Sequence, residues 1–165
     1  MIGYFLEAHL IEHGYVSQRW PAKDCVIATL ATVTRHSYEE IAHALDIAID
    51  EKTRLPELTP YPMGIDILSI PFPLLRLGWS AAVIVTEEGF KRGGVDRHGP
   101  TSEELKPLLI GQRAILGYTD PDPLVGDHSL AWDGTIATDC SNGGEVLLSN
   151  IVLLNAIFLT PLSST

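Results

Sequence analysis

Two cysteines and two methionines are all the sulfur this 165-residue chain carries. Two thiols cannot build a disulfide framework, although one Cys25–Cys140 bridge is possible. There is no Cys-x-x-Cys and no His-Glu-x-x-His, so no metal site is indicated and no cofactor is expected. Basic residues are scarce: 11 Lys and Arg stand against 21 Asp and Glu, a formal charge of −10. Nucleic acid and anionic membranes need a cationic surface, so neither is an expected partner, whereas a basic peptide or protein could be steered in. Long hydrophobic runs are missing too. The most apolar stretch, VLLSNIVLLNAIFL, is interrupted by Ser149, Asn150 and Asn155 and reads as core rather than as a membrane span. The opening MIGYFLEAHLIEHGY holds Glu7 and Glu12 and no early Lys or Arg, which is not the pattern of a secretory signal. A cytoplasmic protein is the default, and signal-independent secretion as an effector is also compatible.

What the chain does have is a core. Hydrophobic residues make up 45% of it and charged ones 19%, as in a globular protein, and the length suits one domain over residues 1–165. No repeat or low-complexity tract divides it. Apolar Val26, Ile27, Leu30, Ala31 and Val33 recur at helical spacing over residues 25–34, and Asp24 stands where a carboxylate would cap the free N–H groups of the first turn. Ser37-Tyr38-Glu39-Glu40 is a capping box opening a second helix, with Tyr38, Ile41, Leu45 and Ala48 on its inner face. The segment from Gly64 starts helically, and Pro71 and Pro73 should break or kink it. Residues 79–86 and 113–119 read as strands, 87–100 as a loop, and Thr101–Glu104 as a second capping box. Asp133-Gly134 is a two-residue hairpin signal joining HSLAW to TIATD, and NAIFLT closes the chain as a strand. Helices first and an antiparallel sheet afterwards indicate an α+β fold.

The hairpin carries chemistry. With a two-residue turn at 133–134, Trp132 pairs with Thr135, and the register continues until His128 stands opposite Asp139. Opposed side chains share a face with Cβ atoms about 5 Å apart. A carboxylate there can accept the imidazole Nδ1–H and leave Nε2 as a base. Cys25, in the first turn of a helix, lies at the positive end of the helix dipole, which favours thiolate over thiol. Thiolate, imidazole and carboxylate are the parts of a cysteine-nucleophile site. Its oxyanion donors would be the Cys25 N–H and an upstream side-chain amide, for which Gln18 is the candidate. Cys140, directed away from Asp139, reads as a structural thiol, and Trp79 and Trp132 as core.

These residues also form an ordered series: Gln18, then Asp24-Cys25-Val26-Ile27-Ala28-Thr29-Leu30-Ala31, then Ser37-Tyr38-Glu39-Glu40. Gly64-Ile65-Asp66-Ile67-Leu68 and Leu77-Gly78-Trp79 follow, then Gly126-Asp127-His128-Ser129-Leu130-Ala131-Trp132-Asp133-Gly134 and Ile136-Ala137-Thr138-Asp139. Over roughly residues 18–145 the series resembles the papain-like cysteine peptidases, and within them the small bacterial C39-like branch. The resemblance implies a Cys-bearing central helix packed on an antiparallel sheet, a bacterial or phage origin, and a peptide or protein substrate. It makes Cys25 the nucleophile, His128 the general base and acid, Asp139 the orienting acid and Gln18 the oxyanion glutamine. The family's glutamine commonly stands six residues before its cysteine; here that place is held by Arg19 and Gln18 is seven away.

Three functions fit these features. The leading one is a thiol hydrolase that cleaves a peptide or isopeptide bond through a thioester. The second is a deamidase, transglutaminase or acyltransferase that uses the same triad on a partner protein. The third is an acidic binding protein or inhibitor that keeps the fold without turnover.

Overall fold

A computed structural model describes residues 15–20, 23–58, 65–120 and 126–162. The opening stretch MIGYFLEAHLIEHGY therefore lies, but for Tyr15, outside the described residues. Helix α1 spans Cys25–Thr34. It is followed by α2, Tyr38–Ala44, and a 3-10 turn at Ile67–Ser69. Next come α3, Pro71–Arg76, then β1, Trp79–Val85, and α4, Glu87–Arg92. Helix α5, Ser102–Leu105, runs on as a 3-10 turn to Leu109. Strands β2, Arg113–Thr119, β3, Asp127–Trp132, β4, Ala137–Asp139, and β5, Gly144–Val146, then lead to β6, Leu153–Pro161. The six strands form one antiparallel sheet in the order β1-β6-β2-β3-β4-β5. The fold is α+β, with the helices early and most of the sheet late.

Helix α1 is buried almost all round, and its small residues explain why. Ala28 and Ala31 let it approach the sheet closely, and Ile27 and Leu30 fill the space beside Ile115, Ala131, Ile157 and Leu159. Truncating a fully buried leucine such as Leu30 to alanine costs about 2–5 kcal/mol. The opposite face of the sheet has its own core: Leu116, Leu130, Trp132, Leu153 and Ala156 pack beneath Leu105 and Leu109. Strand parity produces this division, since Ala131 faces α1 while Leu130 and Trp132 face away. Trp132 is anchored by a 2.8 Å bond from its indole N–H to the Leu109 carbonyl. Trp79 is buried in the α1 core.

Both capping boxes form. Ser37 Oγ accepts from the Glu40 N–H at 3.2 Å while the Glu40 carboxylate accepts from the Ser37 N–H at 2.8 Å, and Thr101 and Glu104 repeat the arrangement. Tyr38, Ile41 and Leu45 are buried as the spacing requires. Ala48 is exposed instead, because α2 ends at Ala44 and Asp46 takes a positive φ of 56°.

Four expectations are corrected. Asp24 stands before α1 but makes no side-chain bond to that helix. Its carboxylate turns back and accepts from the N–H groups of Arg19 and Trp20 at 2.7 and 3.0 Å and from the Tyr38 hydroxyl at 2.6 Å. Pro71 does not break a helix; it starts α3, where its missing N–H costs nothing. The glycine-containing stretch 87–92 is helical rather than loop. Thr86 caps it through the Gly89 N–H, acids occupy its first turn and bases its last, and Lys91 pairs with Glu87 at 3.1 Å. The hairpin turn is longer than two residues, because β3 pairs with β4 as Ala131↔Thr138 and Trp132↔Ala137. Asp133 Oδ1 accepts from the N–H groups of both Thr135 and Ile136 at 2.8 Å, and this gathers residues 133–136 into a four-residue loop. Among the described residues no helix is long and apolar enough to cross a membrane.

Candidate active site

The change in hairpin register moves the pairing by two residues, so every side chain keeps its face. Continued to its end, the observed register sets Asp139 beside Leu130, one pair inward from the expected place. His128 then meets Asp139 on the diagonal, which is still within reach of a long side chain. Its Nε2 lies 3.0 Å from Asp139 Oδ1. The ring is thus turned the other way from the sequence expectation: Nε2 serves the carboxylate, and Nδ1 is the nitrogen left for another partner. Asp139 is itself held by the Ser141 N–H, which donates to Oδ1 at 2.8 Å.

That partner is Cys25. The thiol is half-buried at the first residue of α1, in hydrogen-bond contact with His128 and Ser129. Burial pushes its pKa up, but the bonds from the imidazole and from Ser129, together with the charge on His128, outweigh this and bring it below its ordinary value. His128 moves the opposite way. Burial pulls it down, while the bonds to Asp139 and Cys25 and the two negative charges raise it well above an ordinary histidine. Burial raises Asp139, and its bonds from His128 and Ser141 more than offset that, holding it below the ordinary carboxylate value. The three shifts run together: burial opposes charge on each group, and the hydrogen bonds and charges within the trio favour the charged form of each.

Ser129 is a part that sequence reasoning did not single out. It faces α1, where its hydroxyl lies 3.1 Å from Thr29 Oγ1, and it bonds the thiol through both side chain and backbone. Its place on the strand directly after His128 is the signal that could have marked it. Tyr118, opposite His128 in the β2–β3 ladder, packs its ring edge-on with centroids 6.0 Å apart, while its hydroxyl donates to Asp120 at 2.8 Å.

Gln18 and Arg19 are sorted by their side chains. Arg19 is fully engaged: it pairs with Glu39 at 2.8 Å, bonds the Arg54 carbonyl, and stacks over the Tyr38 ring at 4.1 Å. Gln18 is tied down by its backbone, whose N–H donates to the Cys140 carbonyl at 3.0 Å. Both polar ends of its side-chain amide are buried without a hydrogen-bond partner among the described residues. Such a group is costly unless something pairs with it. The buried Asp24 carboxylate gives the Gln18–Trp20 segment its shape by gripping the two N–H groups that follow Gln18.

Cys25, His128 and Ser129 line a cleft of about 470 Å³. Ile65, Ile67 and Ile70 form one wall, Gly89 of α4 and Gly93 just beyond its end another, and Gly117 and Asn155 belong to the sheet beneath. Beyond the Cys25–His128 pair the charged lining residues are Lys23, Asp66, Arg92 and Asp127, and the last two are paired at 3.3 Å. Cys140 is elsewhere. It is a free thiol on the core side, 3.4 Å from Thr32 Oγ1, and burial lifts its pKa to about 11. The two cysteines are not bridged.

No family model matches this chain, and no curated protein does. Among solved structures, the peptidase domain of Streptococcus ComA, described as a bi-functional ABC transporter involved in a quorum-sensing pathway, is similar in fold. The TM-score is 0.50 at 15% sequence identity, and the alignment covers 90% of this chain and 99% of that one. The likeness concerns the fold alone.

Proposed function

We propose that this protein is a cysteine hydrolase of the papain-like kind, with Cys25 as nucleophile, His128 as general base and acid, and Asp139 as the orienting carboxylate. The observation that carries the reading is the single histidine engaged on both sides, by Asp139 through Nε2 at 3.0 Å and by the Cys25 thiol, at the edge of an open cleft. A histidine in a merely structural role has no need of a thiol partner that lines a cleft. The shared fold with a peptidase domain supports the same reading.

In the reaction, the Cys25 thiolate attacks a substrate carbonyl carbon and the carbonyl π electrons move to oxygen. The oxyanion is received by the Cys25 N–H at the helix start and by the side-chain amide of Gln18, whose buried polar ends have no partner among the described residues. Collapse of this intermediate breaks the C–N bond, and His128 gives its proton to the departing amine. The resulting thioester is attacked by water, which His128 deprotonates, and thiolate and carboxylic acid are released. Asp139 keeps the imidazole oriented and favours its charged form throughout.

The test is incubation of an unstructured protein such as reduced casein with the wild type and with Cys25→Ala, with fragments read by mass spectrometry and ammonia measured alongside. Cleavage by the wild type alone supports hydrolysis of peptide bonds. Ammonia without cleavage moves the reading to deamidation with the same residues. If iodoacetamide at pH 6 labels Cys25 no faster than an ordinary thiol, the nucleophile assignment is lost.

A further inference from the structure

The cleft contains a polar group that the chemistry above does not use. Asn155 lies on β6, and its Oδ1 is buried with no hydrogen-bond partner among the described residues. Its position follows from the sheet. Ser129 on β3 pairs with Gly117 on β2, and Gly117 pairs with Asn155 on β6. The three residues form one row across three strands on a single face, and Ser129 touches the Cys25 sulfur. Adjacent strands are about 4.8 Å apart, so Asn155 stands about 10 Å along the row from Ser129, the length of roughly three residues of extended peptide. All three line the same cleft.

The row is built around a missing side chain. A Cβ on Gly117 would come within 2.5 Å of Asn155 Nδ2 and 2.7 Å of Oδ1, so the carboxamide lies flat over the glycine. The residue before it is held from the other side, because Gly89 lets α4 press against the Leu154 carbonyl so closely that a Cβ there would collide with it. Around this amide the cleft walls are apolar, with Ile115, Val85 and Leu154 nearby. A carboxamide has one acceptor and a donor pair, the complement of a peptide main-chain unit, and its acceptor here is buried without a donor among the described residues.

We propose that Asn155 is a substrate-binding residue that hydrogen-bonds the main chain of an extended peptide, at about the third residue from the carbonyl attacked by Cys25. The substrate class is accordingly a peptide bound in extended form, with apolar side chains flanking the bonded unit. The inference rests on the nucleophile reading of Cys25, and the experiment separates the two.

The experiment compares two electrophiles on the full chain: iodoacetamide, which needs only a reactive thiol, and the peptidyl probe acetyl-Leu-Ala-Ala vinyl sulfone, which must also occupy the cleft. The readout is the ratio of the second rate to the first for Cys25. Asn155→Leu, which keeps the bulk and removes the amide, should lower the ratio about tenfold. Gly117→Ala, which drives the amide from its bed, should do likewise. Replacing one probe amide with an ester should cost the wild type rate but cost Asn155→Leu nothing further. An unchanged ratio in Asn155→Leu, with fast iodoacetamide labelling retained, overturns the role of Asn155 and leaves Cys25 as nucleophile. Slow iodoacetamide labelling of the wild type overturns the nucleophile reading and this inference with it.

Discussion

The molecule holds two free thiols, Cys25 and Cys140, and they show that burial alone does not decide how a cysteine behaves. Burial pushes both pKa values up. Cys140 stays up, at about 11, because burial and the negative charges of Asp139 and Cys25 outweigh the hydrogen bonds from Thr32 and Thr29, which pull it down. Cys25 comes down because it meets an imidazolium and Ser129 at the start of a helix. Asp139 makes the contrast sharper. Directly it disfavours a charge on Cys140, its chain neighbour, yet through His128 it favours one on Cys25.

The comparison breaks most completely if the imidazole is removed. His128→Ala should cut alkylation of Cys25 at pH 6 by about 100-fold or more, because the group that most favours the thiolate is gone, and leave Cys140 as unreactive as before. Rates measured separately for the two cysteines by peptide mapping check this. Reaction of Cys25 with iodoacetamide as a function of pH should follow next. Its folded-state pKa is below the ordinary value, so its rate should persist to lower pH than an ordinary thiol's and be lost as pH falls through that lowered value. Cys140 should begin to react only as pH rises toward about 11. A single shared curve would abolish the distinction. Asp139→Asn should have a smaller effect, about tenfold at pH 6, because it removes one of the two charges that hold His128 protonated while the thiolate stays. Smallest is Thr32→Val, which deletes a hydrogen-bond partner of Cys140. It should cost about 1 kcal/mol in urea denaturation and leave the Cys25 labelling rate unchanged.

Much of the architecture was legible because it rests on local signals. The capping boxes at Ser37 and Thr101, the apolar spacing of α1 and the β-branched strand at 79–85 are short-range patterns, and each element forms where they lie. Pairing His128 with Asp139 relied on strand parity, and parity survived an error of two residues in the turn. It would not have survived an error of one. Other features were hidden because their cause is distant. Asp24 reads as a helix cap, and nothing in its neighbours reveals that Tyr38 and the two N–H groups behind it claim the carboxylate. The helix at 87–92 hid behind its glycine, whose bare Cα is needed only because the Leu154 carbonyl of β6 presses against it. Ser129 and Asn155 were silent for the same reason: a serine and an asparagine become parts of a cleft only when three strands set them in one row.

The order of residues along the chain determined which groups are available: a cysteine at a helix start, a histidine and an aspartate on one face of a hairpin, a surplus of negative charge, and two capping boxes that start helices regardless of context. Those outcomes depend on spacings of a few residues, which a linear sequence carries. The tertiary structure alone decided which imidazole nitrogen faces the carboxylate, which of Gln18 and Arg19 keeps a free side chain, and why one buried thiol is lowered and the other raised. Each of these depends on which charges and hydrogen-bonding groups come within a few ångströms after the sheet closes on α1. Electrostatic and hydrogen-bond energies follow distance in space, and distance along the chain does not supply it.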